Sequence, residues 1–170
     1  FLSLVWGLYE YRLHNIPLFV SPAHVLLLAL GTSLARRLPD GLVWVVFMAA
    51  APVIGVLAFE GTDTLGPVLL GLLFVCLVFG PSKKLYATMF VLALLMELCG
   101  TWLGNWSWSR EVAWFHLTAA NPPLAAGAFY CVLDMLVLST LALHARAQAR
   151  RNLRPNVAGF AAGVSRDRSG

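Results

Sequence analysis

Apolar residues fall along this chain in blocks separated by short polar breaks, and most blocks approach the length of a membrane span. A helix needs about 20 apolar residues to cross the hydrocarbon core, within a usual range of about 17–25. The first block, residues 1–9, is short and opens without Met inside an apolar run, as the outer end of a truncated helix would. The polar patch Glu10-Tyr11-Arg12-Leu13-His14-Asn15 closes it. The second covers 17–35, where Ser21-Pro22 has the form of an N-cap followed by proline and so places 17–20 at the interface. Arg36-Arg37-Leu38-Pro39-Asp40-Gly41 ends it, and 42–59 follow with Pro52 as an expected kink. After Glu60-Gly61-Thr62-Asp63 comes a short fourth block, 65–79, bracketed by Pro67 and Gly80-Pro81. Such a short span must thin the bilayer or pack against protein. The fifth block is 85–104, and the sixth, 122–144, follows an amphiphilic loop and opens on Asn121-Pro122, another predicted N-cap. The pattern predicts an all-α integral membrane protein: a bundle of about six helices over 1–145, then a basic tail over 146–170 that begins helical and frays into disorder.

Composition agrees. Of 170 residues 59% are hydrophobic and 12% charged, whereas soluble domains carry roughly 25% charged residues. A water-soluble fold of this size could not hide so much apolar side chain, so lipid must be the solvent for much of the surface. The net charge of +4 matters less than where the charge lies. Arg36, Arg37, Lys83, Lys84, Arg146, Arg150, Arg151, Arg154, Arg166 and Arg168 fall on one face of a six-span topology. Arg12 and Arg110 fall on the other. By the positive-inside rule the first face is cytoplasmic, which predicts a multi-pass protein of a bacterial-type inner membrane with its C-terminus inside. Nucleic acid is excluded as a partner, membrane lipids are expected, and no cleavable signal peptide is visible.

Candidate chemistry lies within the spans. Glu97 and Asp134 are acids at depths where insertion costs about 2.5–3.5 kcal/mol, so they should face the bundle interior. Glu97, Gly100 and Gly104 share one helical stripe, and Gly127, Tyr130 and Asp134 share another. Antiparallel neighbours would meet along a seam of small residues with acids on it. Glu97 and Asp134 are the catalytic candidates, Glu97 with a polar partner from span six or His24, and Asp134 against Tyr130 or nearby backbone. Candidates for substrate binding are His24, Gly100, Gly104, Trp102, Trp106, Tyr130 and Asn121. Trp102, Trp106, Trp108 and Trp114 otherwise read as an interfacial aromatic belt. Cys76, Cys99 and Cys131 show no CxxC spacing and read as small buried apolar residues. Histidines 14, 24 and 116 match no ligand spacing, so no metal is assigned, and no P-loop, GxSxG, HExxH or dinucleotide fingerprint names a cofactor.

The stretch Glu97-Leu98-Cys99-Gly100-Thr101-Trp102-Leu103-Gly104-Asn105-Trp106-Ser107-Trp108, followed by Asn121-Pro122-Pro123, resembles the membrane-bound carotenoid hydratase family. An acid, two glycines and aromatics at a helix end precede a proline-led span in both. The resemblance covers residues 97–123 and implies water addition to an isoprenoid double bond, with Glu97 as the acid. The sequence thus supports a small intramembrane enzyme acting on a lipid or isoprenoid in a pocket toward the non-cytoplasmic leaflet. The runner-up, nearly as well supported, is a non-catalytic accessory subunit of a larger membrane complex, followed with less support by a small transporter component.

Overall fold

The structure, a computed structural model, describes residues 3, 6–112 and 115–166, with side chains through residue 151. Its described residues form helices α1 (Val20–Ala35), α2 (Leu42–Phe59), α3 (Gly66–Phe79), α4 (Lys83–Trp102) and α5 (Gly127–Arg166). Four short strands accompany them: β1 (Tyr9–Tyr11), β2 (Trp106–Trp108), β3 (Glu111–Val112) and β4 (Leu117–Thr118). The chain is mainly helical, as its apolar blocks require, but the described residues do not support six spans. Among them, only the stretches Leu42–Phe59, Lys83–Trp102 and Gly127–Arg151 are long and apolar enough to cross a membrane. The 16 residues of α1 and 14 of α3 are too few, at about 1.5 Å per residue, for a core of about 30 Å.

The expected truncated first helix is replaced, in its described part, by strand β1. Gly7 has a left-handed φ of +61°, and Tyr-Glu-Tyr then alternates with a period of two. β1 pairs antiparallel with β2, in the register Tyr9–Trp108, Glu10–Ser107, Tyr11–Trp106. Two other boundaries also differ from the sequence pattern. α1 starts at Val20 with Phe19 before it and no side-chain cap, so Ser21 lies inside the first turn. α5 starts at Gly127, and Asn121, in a cis bond to Pro122, is not its cap. Pro52 lies inside α2 without interrupting it. α5 continues to Arg166, because Ala and Arg between 142 and 151 are good helix formers. Residues up to Met135 belong to one compact unit, and those from Leu136 form a second.

In the first unit, α4 lies at the centre. Tyr86, Phe90, Ala93, Glu97 and Gly100 are buried at helical spacing and make one inward stripe. Leu69, Leu73, Cys76 and Leu77 of α3 are buried as well. α1 approaches α4 where Gly31 faces Met89 and Leu85. α5 comes closest at Gly127, where a Cβ would strike the Phe90 carbonyl, and one turn later Cys131 Sγ donates to the Tyr86 carbonyl at 3.1 Å. α2 is different. Of its 18 residues only Val43 and Ile54 are buried, and large apolar side chains such as Trp44, Met48 and Phe59 are exposed.

Side-chain ties sort the loops into two ends. Lys84 Nζ bonds the Leu38 carbonyl at 3.2 Å and Asp40 at 3.1 Å, joining the α1–α2 loop to the start of α4. At the other end, Thr64 and Thr118 exchange hydrogen bonds: Thr118 Oγ1 accepts from the Thr64 amide and Thr64 Oγ1 from the Thr118 amide. The buried Asp63 accepts from the Gly66 amide at 2.9 Å, capping α3, and from the Leu124 amide at 3.3 Å. Burial pushes the Asp63 carboxyl above its ordinary pKa despite these bonds.

Candidate functional site

Glu97 reaches the interior because it shares the buried stripe of α4, one turn before the helix ends. That end is closed by Gly104, whose φ of +67° allows the Gly104 amide to bond Thr101 and the Asn105 amide to bond Gly100. The reversal sends the chain back over its own helix as β2. Alternation along β2 turns Trp106 and Trp108 inward and Ser107 outward, and β1 does the same with Tyr9, Tyr11 and Glu10. Four aromatic rings therefore share one face of the two-stranded cap. Cross-strand ring centroids lie 5.2 Å apart for Tyr9–Trp108 and 6.2 Å for Tyr11–Trp106. Burial and the bond to Tyr11 push the Tyr9 phenol above its ordinary pKa, so it stays neutral at any physiological pH.

Under this cap the Glu97 carboxylate accepts three hydrogen bonds. Trp106 Nε1 and Trp108 Nε1 donate to Oε2 at 2.8 and 3.0 Å, and Tyr130 Oη donates to Oε1 at 2.9 Å. An indole N–H can only donate, so Oε2 is an acceptor in this arrangement. The three donors come from β2 and α5, and Glu97 fastens both to α4.

Beside it, the His24 ring stacks on Tyr130 with centroids 5.4 Å apart. His24 Nε2 lies 3.1 Å from Asp134 Oδ1. The His24 side chain is 21% exposed and that of Asp134 fully buried. A carboxylate partner favours the tautomer with its proton on Nε2, and Nδ1 is the ring nitrogen that Asp134 does not engage. Asp134 Oδ2 is buried with no hydrogen-bond partner among the described residues. Leaving such an atom unpaired costs roughly 1–3 kcal/mol, a cost that sites with a chemical task tolerate.

These groups surround a cavity of about 380 Å³. Its wall is mainly apolar and aromatic, with Phe19, Val20, Met96, Phe129 and Leu133 completing the rings of the cap. Glu97 and His24 are its ionisable members other than the two tyrosines of β1 and Tyr130, and among the described residues no lysine or arginine lines it. The volume falls within the roughly 300–1,000 Å³ of small-molecule sites, and a mainly apolar wall with few polar groups is their usual construction.

The sequence candidates divide into groups. Glu97, His24, Trp106 and Tyr130 meet at the cavity. Asp134 stands behind His24 and hydrogen-bonds it rather than Tyr130, whose hydroxyl is donated to Glu97. Gly100 makes room for the Trp106 indole, which a Cβ there would strike, so it faces protein. Gly104 turns the chain, and Asn121 Oδ1 accepts from the Trp108 amide at 2.8 Å to hold β2 in place. Trp102 is 85% exposed on the outer side of α4, away from the cavity. The N–H groups of Trp106 and Trp108 are taken by Glu97 rather than turned to an interface, and Trp114 lies outside the described residues. Sequence reasoning did not name Tyr9, Tyr11 or Trp108 as site residues. The paired triplets Tyr-Glu-Tyr and Trp-Ser-Trp were the available signal. Among the described residues no group of three or more His, Cys, Asp or Glu is placed to hold a metal ion. Compared with protein-family models, curated proteins and solved structures, the chain gave no match.

Proposed function

We propose that this protein is a multi-pass intramembrane enzyme that protonates a carbon–carbon double bond of an isoprenoid lipid and adds water across it. The observation that carries this reading is the aromatic cavity with one carboxylate and one carboxylate-coupled imidazole in its wall. A hydrocarbon fits such a wall, and proton transfer is the chemistry its polar groups can perform.

In this reading the His24 imidazolium, held at Nε2 by Asp134, gives the proton on Nδ1 to the less substituted alkene carbon. The π bond breaks, a C–H bond forms, and the more substituted carbon becomes a cation. Water attacks that carbon, and its surplus proton returns to Nδ1, restoring the imidazolium. The Glu97 carboxylate and the rings it fixes lie beside the cation and lower its energy electrostatically. Asp134 acts through His24 and is a positioning residue.

The end carrying Lys84 and the α1–α2 loop is the cytoplasmic one in this proposal, since Arg36, Arg37, Lys83 and Lys84 lie in its segments while Arg12 and Arg110 lie in those of the other. The capped cavity then opens toward the opposite leaflet.

The test uses protein in lipid nanodiscs, an acyclic isoprenoid hydrocarbon and heavy-oxygen water. Mass spectrometry should find a tertiary alcohol carrying the heavy isotope, and His24→Gln should abolish it while the protein stays folded. Absence of product across acyclic isoprenoids, with stoichiometric co-purification of another membrane protein, would favour a non-catalytic subunit instead.

A further inference from the structure

The charge in the cavity does not balance within the described residues. Glu97 is met by two indole N–H groups and a phenol, all neutral, and by no cation. The described ion pairs are His24–Asp134, Lys84–Asp40 and His116–Glu111, and none involves Glu97. Both Glu97 oxygens accept from donors, as a carboxylate's do, so the cavity wall presents an anionic group that no described cation matches. Around that charge stand Tyr9, Tyr11, Trp106, Trp108, Phe129 and Tyr130. Trp108 and Phe129 are stacked at 6.2 Å, and Tyr9 and Tyr11 meet edge to face at 5.4 Å, so the rings form one connected lining. The indole N–H groups and the Tyr130 hydroxyl are turned onto Glu97, so these rings offer the ligand π surface rather than donors. Aromatic faces around an anion are the construction by which proteins recognise quaternary ammonium groups.

We infer that the cavity recognises a cationic centre carried on a hydrocarbon chain, with Glu97 and the surrounding rings as the recognition element. This deepens the reading above by naming what the site selects, and it rests on that reading for the hydrocarbon chain. Two sources share the chemistry: the cation that forms on a reacting isoprenoid, and the permanent ammonium of a choline lipid. Anionic headgroups are disfavoured on the same argument, because among the described residues no lysine or arginine lines the wall to meet a phosphate.

The experiment follows tryptophan fluorescence in phosphatidylglycerol nanodiscs during titration with n-octyltrimethylammonium. Parallel titrations use its neutral isostere, with tert-butyl in place of trimethylammonium, and n-octyl phosphate. The cation should bind at least about tenfold tighter than the isostere, the lower end of what several ring contacts and one carboxylate supply together. Octyl phosphate should not compete. Glu97→Gln should bring cation and isostere to similar affinity. Tyr9→Leu removes one ring without touching the carboxylate and should weaken the cation several-fold while leaving the isostere unchanged. Equal affinities in the wild type, or tighter binding of the phosphate, would overturn the inference. Repeating the titration in phosphatidylcholine nanodiscs separates the sources: weaker apparent binding there assigns the site to the lipid headgroup, and unchanged binding assigns it to the reacting chain. No turnover is read, so the two readings fail separately. Hydration without cation preference would remove this inference alone, and cation preference without hydration would remove the reaction alone.

Discussion

Glu97 holds three elements together through one side chain, and its two roles can be separated by substitution. Glutamine keeps the shape: its carbonyl can take both indole N–H groups, and its amide can donate to the Tyr130 oxygen. Leucine leaves two indole donors and a phenol without an acceptor, at about 1–3 kcal/mol for each group that stays buried. Thermal unfolding in detergent should therefore place Glu97→Gln within a few degrees of wild type and Glu97→Leu well below it. Equal stability of the two variants would mean that the donors find other partners. The interior position of Glu97 was legible in the sequence, because an acid in an apolar helix faces inward and Gly100 shares its stripe. The duty of Trp106 and Trp108 was not. An indole at a helix end looks the same whether its N–H meets a headgroup or a buried carboxylate, and only the fold brings residues nine and eleven positions away back onto Glu97.

The elements owe their placement to close backbone approach and to buried caps, and each makes a prediction. Gly127 sits against the Phe90 carbonyl, which cannot move aside, while Gly55 in α2 has open space around its Cα. Gly127→Ala should cost about 1–3 kcal/mol of overpacking, whereas Gly55→Ala should cost nothing measurable. Comparable losses at both would show that α5 does not seat on α4 in this way. Asp63 supplies a pH signature. Its folded pKa lies above the ordinary 3.8, so its contribution to stability is fully present below 3.8 and is lost as pH rises through the folded value. Relative to Asp63→Asn, the wild type should gain stability as the pH is lowered through this window. A wild type that loses ground on acidification would mean that the carboxylate is the form the fold prefers. Helices α2, α3 and α4 could be read within one or two residues from their apolar runs and polar breaks. β1 could not, because three residues of alternation are too few to stand out and their partner lies nearly a hundred positions later.

Within the first unit two chemically distinct ends can be told apart. Arg36, Arg37, Lys83 and Lys84 fall at the end tied by Lys84, and the strand pairs and threonine exchange mark the other. The loss of the expected first helix leaves this division intact, since Lys84 itself ties the start of α4 to the α1–α2 loop. With the exposed Cys99 replaced by serine, single cysteines introduced at Ser82 and Ser107 should react with impermeant reagents from opposite sides of the membrane. Reaction of both from one side would remove the two-ended arrangement. The most direct test of the account compares hydration of an acyclic isoprenoid by two variants of α4, Glu97→Gln at the cavity wall and Trp102→Ala on the outer surface. Glu97→Gln should lower the rate by at least about a hundredfold, the range seen when one electrostatic element of a transition state is removed. Trp102→Ala should keep the wild-type rate. A Glu97→Gln protein that hydrates as fast as wild type, or a loss confined to Trp102→Ala, would contradict the placement of the chemistry in this cavity.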